Sequence, residues 1–149
     1  MAEQRTERDV LHHLVDVCEN GARGFAAAAD HVGNRQLKTL FGKLSAERVR
    51  FAEELVPHLQ RLGGRVDHGG TAAGVLHRGW MEIQSLVPGN HDHTVVTEAK
   101  RGEQAAIDAY NEALSGMLPP TAIGLIEQQR DAMLSDGDRI RTVAMGYDE

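Results

Sequence analysis

The chain has 149 residues, 41% of them hydrophobic and 26% charged, and a domain of that size can bury roughly 68 to 70% of its unfolded surface without staples, so one domain over 1–149 is expected. The net charge of -6, the lack of any Lys/Arg block and an aromatic content of 4% argue against general nucleic-acid binding and against anionic membrane surfaces. The single cysteine, Cys18, excludes an internal disulfide framework and points to a reducing compartment.

The first residues, MAEQRTERDVLHHL, carry both signs of charge and lack the basic start and apolar run of a secretion signal. No stretch approaches the roughly 20 apolar residues needed to span a bilayer, so the expected location is the cytoplasm. The first helix is predicted from Thr6 to about His31, with the Thr6 hydroxyl capping the opening turn and Asp9 in the place of the usual glutamate. Its apolar face is Leu11, Leu14, Cys18, Ala22, Phe25 and Ala29. Val32-Gly33-Asn34 makes a short link in which Asn34 caps the next helix, and so short a connection forces the two helices antiparallel. The second helix, Leu37 to Leu62, sets Leu37, Leu40, Phe41, Leu44, Phe51, Leu55, Leu59 and Leu62 on one face. Charge interrupts that stripe at Glu47 and Arg48.

Gly63-Gly64 ends the second helix, and a loop containing Asp67, His68, Gly69 and Gly70 leads to a further helical stretch, Thr71 to about Val87, before Pro88-Gly89 breaks it. The third helix is predicted from near Asp92, a solvated N-cap, with Val96, Ala99, Glu103, Ala106, Tyr110, Ala113 and Met117 on one face. Pro119-Pro120 stops it and starts a fourth helix presenting Ile123, Ile126, Arg130, Met133, Gly137, Ile140 and Ala144. Tyr147-Asp148-Glu149 is expected to fray. Nothing in the pattern alternates as a strand does, and the class is all-α. The second helix is about 39 Å long at 1.5 Å per residue, and the segment from Gly63 to His91 is long enough to climb back along it. The expected architecture is a ferritin-like four-helix bundle with a long 2-3 crossover containing a fifth, shorter helix. Trp80, on that crossover, is a natural contact for a homo-oligomer.

At about 100° per residue, Glu103 falls about 20° from the centre of its apolar stripe, Arg130 about 20°, Arg48 about 35°, Glu47 about 65° and Glu127 about 80°. Cys18 is central in the first helix, whereas Glu19 points largely away. These positions lie near mid-helix, so Cys18, Arg48, Glu103 and Arg130 are predicted to form one buried polar level. A buried carboxylate needs a cation beside it, which for Glu103 means an arginine or a metal ion. The di-iron pattern of ferritin-like bundles places Glu on one helix and Glu-x-x-His on the next, twice over. Here the corresponding residues are Glu19, Glu47-x-x-Arg50, Glu103 and Glu127-x-x-Arg130, with both histidine places taken by arginine, which stays protonated and cannot ligate. The competing arrangement has Glu47, Glu103 and Glu127 converging on Fe, Mn or Zn.

His91, Asp92 and His93 offer suitable metal donors in a loop where capping already accounts for the aspartate. Cys18 could be a redox thiol, although its central apolar place favours an inert core residue. There is no Gly-x-Ser-x-Gly elbow, P-loop or dinucleotide fingerprint, so nucleophilic catalysis is not expected.

CENGARGF (18–25), LFGKLSAERVRFAEEL (40–55), LGG (62–64), LHRGW (76–80), RGEQAAIDAY (101–110), LPP (118–120) and DRIR (138–141) together resemble the bacterial ferritin-like four-helix-bundle proteins of unknown function. The resemblance spans nearly the whole chain and implies the bundle fold without a settled activity. It also implies a histidine just before DRIR, where this chain has Gly137. The leading expectation is a non-enzymatic cytoplasmic bundle, a stress-associated or interaction protein. The alternative is a metal-dependent oxidoreductase or metal-storage protein.

Overall fold

The computed structural model describes residues 6–64 and 91–148. Among these residues the chain is all-helical: α1 (Glu7–His31), α2 (Arg35–Arg61), α3 (Asp92–Leu114) and α4 (Pro120–Asp148). The predicted crossover helix, Thr71 to Val87, and Trp80 upon it lie outside the described residues.

Helix ends follow local chemistry. Thr6 and Asp9 form a reciprocal box: Asp9 N donates to Thr6 Oγ1 at 3.1 Å and Thr6 N donates to Asp9 Oδ2 at 3.4 Å, satisfying two donors that a helix start leaves open. Asn34 accepts from Leu37 N at 2.9 Å, so α2 starts at Arg35, two residues ahead of its first leucine. At the other end Gly63 takes φ +79°, and the amides of Gly63 and Gly64 return to Gln60 O and Leu59 O. Only glycine enters that left-handed position without a penalty. α3 stops at Leu114, so Met117 is not on its inner face and is 54% exposed. α4 continues to Asp148, through residues expected to fray.

Asp92 does not act as a solvated cap. His91 occupies the cap position without a side-chain bond, and Asp92 is buried, with Oδ1 accepting from Gly33 N at 2.7 Å and Oδ2 from Asn34 N at 2.9 Å. The start of α3 is thereby fastened to the α1–α2 link. Since α2 also starts there, α2 and α3 run in the same direction. α1 packs against α2 and α3, and α4 packs against the same two, so α2 and α3 lie diagonally. Gly64 and His91 therefore sit at opposite ends of the bundle.

The core is in two parts. One apolar cluster includes Leu11, Leu14, Phe51, Leu55, Ile107, Ile126 and Met133. The other includes Phe25, Phe41, Leu44, Val95, Ala99 and Ile140. Along each of α2, α3 and α4 a buried charge falls in the gap between them: Arg48, Glu103 and Asp136.

Asp92→Ala removes the acceptor of two backbone amides, and hydrogen bonds to a charged group contribute roughly 1.5 to 3 kcal/mol each. Urea unfolding is expected to show a loss of about 3 kcal/mol, with Asp92→Asn losing less because one amide keeps its acceptor.

Candidate functional site

Arg48 is the centre of the gap. Its side chain is 1% exposed, and its Nη2 donates to both carboxylate oxygens of Glu103, at 2.8 and 2.6 Å, and to Asp136 Oδ2 at 3.3 Å. Nη1 lies 3.6 Å from Glu47 Oε1. The guanidinium carbon stands 5.3 Å from the Phe25 ring centroid and 5.7 Å from that of Phe51, so aromatic faces add to its stabilisation where it is not hydrogen-bonded. α1 makes room for the stem. A Cβ on Gly21 would stand 3.4 Å from Arg48 Cγ.

One buried arginine faces three carboxyl groups, and full ionisation would leave two uncompensated negative charges in a low-dielectric site. Glu47 removes one of the two. Burial, a hydrogen bond with Asp136 and the repulsion of Asp136 push its carboxyl up to about 8, against the pull of Arg48 and Arg50. Near neutral pH Glu47 therefore holds a proton beside Asp136. Burial also raises the Glu103 carboxyl, opposed by Arg48. From the outer side, Arg139 Nη1 reaches to 4.0 Å from Asp136 Oδ1.

A second polar level lies seven residues further along α3 and seven back along α4, about 10 Å away. Tyr110 donates its hydroxyl proton to Gln129 Oε1 at 2.6 Å and lies 3.0 Å from Cys18 Sγ. With that proton committed to Gln129, the thiol is the donor to the tyrosine oxygen. Gln129 Nε2 then donates to Phe51 O at 3.2 Å and Glu54 Oε1 at 3.0 Å. All four helices contribute to this chain of bonds.

Of the residues predicted for one level, Arg48 and Glu103 meet directly. Cys18 belongs to the tyrosine level instead. Arg130 is displaced to the side: 28% exposed, its Nε donates to Asp131 at 3.2 Å and its Nη1 to Asn111 at 3.1 Å. The inner face of α4 is Ala122, Ile126, Gln129, Met133, Asp136, Ile140 and Ala144, turned from the predicted stripe because Ile123 is on the outside. Asp136 and Gln129 are the buried polar residues that the helical reading leaves off the inner face, and Tyr110, placed on the inner face of the third helix, is given no polar role there. The signal for two of them is the heptad Ala122, Gln129, Asp136 interleaved with Ile126, Met133, Ile140.

The proposed metal donors do not converge. Glu127 is exposed, and Glu47 and Glu103 both face Arg48, which takes both Glu103 oxygens. No group of three or more His, Cys, Asp or Glu among the described residues is arranged to hold a metal ion. An Fe, Mn or Zn centre does not fit this donor set, because the guanidinium already stands where the cation would. The thiol is no better suited to chemistry. Burial pushes Cys18 up to about 12, against the pull of Arg48.

Residues 6–116 match the family model described as "Domain of unknown function (DUF2383)", and the chain belongs to that family. Over 102 residues it is also 32% identical to Rho guanine nucleotide exchange factor 4 of Homo sapiens, a match covering 61% of this chain and 14% of that protein. No helix among the described residues is long and apolar enough to cross a membrane.

Two outcomes follow from the charges. Folded Glu47 keeps a proton that the unfolded chain has released, so its contribution to stability is full below pH 4.5 and is lost as pH rises to about 8. Denaturation midpoints are expected to fall across that window, and Glu47→Gln to flatten the fall. The Cys18 thiol is expected to resist a neutral thiol reagent at pH 8 and to label only at the rate of global unfolding; fast labelling of the native protein would contradict the geometry.

Proposed function

We propose that this protein is a non-enzymatic ferritin-like bundle, an interaction or stress-associated protein, in which an arginine replaces the metal of related architectures. The observation that carries the reading is the occupation of both Glu103 oxygens by one Arg48 nitrogen. Metal sites in bundles are built from inward side chains of facing helices, and here that position holds a permanent organic cation that cannot be displaced by deprotonation. The ferritin-like connectivity is supported by two antiparallel hairpins, α1–α2 and α3–α4, with parallel α2 and α3 on the diagonal. A cytoplasmic setting is supported by the lone buried thiol, and a bacterial one by the motif resemblance. The exchange activity named for the human protein is not carried over, since the chain spans 14% of its length.

Elemental analysis of the purified protein is expected to give no stoichiometric iron, manganese or zinc. Glu103→Ala is expected to lower stability by roughly 3 to 5 kcal/mol, because it removes the two shortest hydrogen bonds of the buried guanidinium and leaves it only the longer one to Asp136. Stoichiometric metal that disappears in Glu103→Ala would overturn the proposal.

A further inference from the structure

α4 is the least amphipathic of the helices, because it carries apolar side chains on its outer face as well as its inner one. Among the described residues five large apolar side chains are exposed, and three of them are on this helix: Ile123 at 38%, Leu134 at 47% and Met145 at 69%. They are spaced eleven residues apart, three turns with a drift of only about 20° each time, so they form a line nearly parallel to the helix axis. The line is about 33 Å long.

The charges along this line are arranged about its middle. Four residues before Leu134 is Arg130 and four after it is Asp138; seven before is Glu127 and seven after is Arg141. All six flanking residues fall within about 40° of Leu134 on the helical projection. Glu127, Asp138 and Arg141 are exposed and Arg130 is partly so. Each acid is thus matched by a base at the same distance on the other side. Within one chain Asp138 and Arg141 pair with each other, and Arg130 pairs with Asp131 outside this set.

A pattern that inverts in charge about a central apolar residue is self-complementary under a two-fold axis. We propose that α4 is a homodimer interface, in which two copies of the helix pack antiparallel about Leu134. Leu134 then meets its own copy, Ile123 packs against Met145 of the second chain, Glu127 faces Arg141, and Arg130 faces Asp138. Both members of every pair recur on both sides, as an isologous interface requires. The alternative, a parallel pairing in register, sets every charge against its like and is disfavoured. The small drift of the stripe favours nearly aligned axes, so that the outer pairs touch as well as the central one. This interface is independent of the Arg48 level and of whether that level binds metal.

Sedimentation of the 16.3 kDa chain is expected to show a reversible dimer. Leu134→Glu, on an exposed face, is expected to give a monomer with unchanged helicity and with a melting point that no longer depends on protein concentration. Glu127→Arg sets arginine against Arg141 of the partner and Arg141→Glu sets glutamate against glutamate, so each variant alone is expected to dimerise at least about tenfold more weakly. Mixed, the two are expected to form a heterodimer with both charge pairs restored. A wild type that stays monomeric at all concentrations, a dimer indifferent to Leu134→Glu, or a mixture that associates no better than its components would overturn the proposal.

Discussion

The structure depends on the pairing of Arg48 with Glu103. A guanidinium that is 1% exposed must be matched in charge and in hydrogen bonds, and the match must come from other helices because the arginine's own neighbour, Glu47, reaches only Nη1. α3 therefore has to present Glu103 and α4 Asp136 at one height, with α1 narrowed to Gly21 beside the stem. This constraint cuts the apolar core in two. Buried ion pairs of this kind need not add net stability over apolar substitutes, yet losing one partner is costly. What the pair supplies is a condition on alignment.

The fastening of Asp92 to the α1–α2 link makes that condition easy to meet. α2 and α3 start at the same end of the bundle, and Arg48 lies 13 residues into the first from Arg35 while Glu103 lies 11 residues into the second from Asp92. At 1.5 Å per residue these are depths of about 20 Å and about 17 Å, within the reach of an arginine side chain. A carboxylate at the mouth of α3 thus helps to set the depth of another eleven residues inside.

Helix boundaries and the meeting of Arg48 with Glu103 were legible because each rests on a local signal: capping residues at Thr6 and Asn34, a glycine after α2, and charges close to the centre of well-defined apolar stripes. The face of α4 was less legible for a physical reason. Apolar residues surround that helix, so the centre of its stripe is poorly defined, and Arg130 projects inward only if Ile123 is counted as core. Asp92 misled for a different reason: a capping aspartate and one that accepts two distant amides have the same sequence signature, and only the packing of the α1–α2 link separates them. The protonation of Glu47 could not be read at all, because it depends on Asp136 lying beside it across a helix interface.

The two polar levels act together on register. Glu103 and Tyr110 are one heptad apart on α3, and Gln129 and Asp136 are one heptad apart on the antiparallel α4. An apolar heptad seam alone would tolerate a slip of seven residues, since it places like against like. Here such a slip would bring Tyr110 to Arg48 and leave the guanidinium facing a phenol in place of a carboxylate, while Gln129 would lose the hydroxyl that its oxygen accepts. Each level alone excludes small slips, and their unlike chemistry excludes the heptad slip as well. The charged level and the tyrosine level therefore specify one alignment of the bundle where leucine and alanine would allow several.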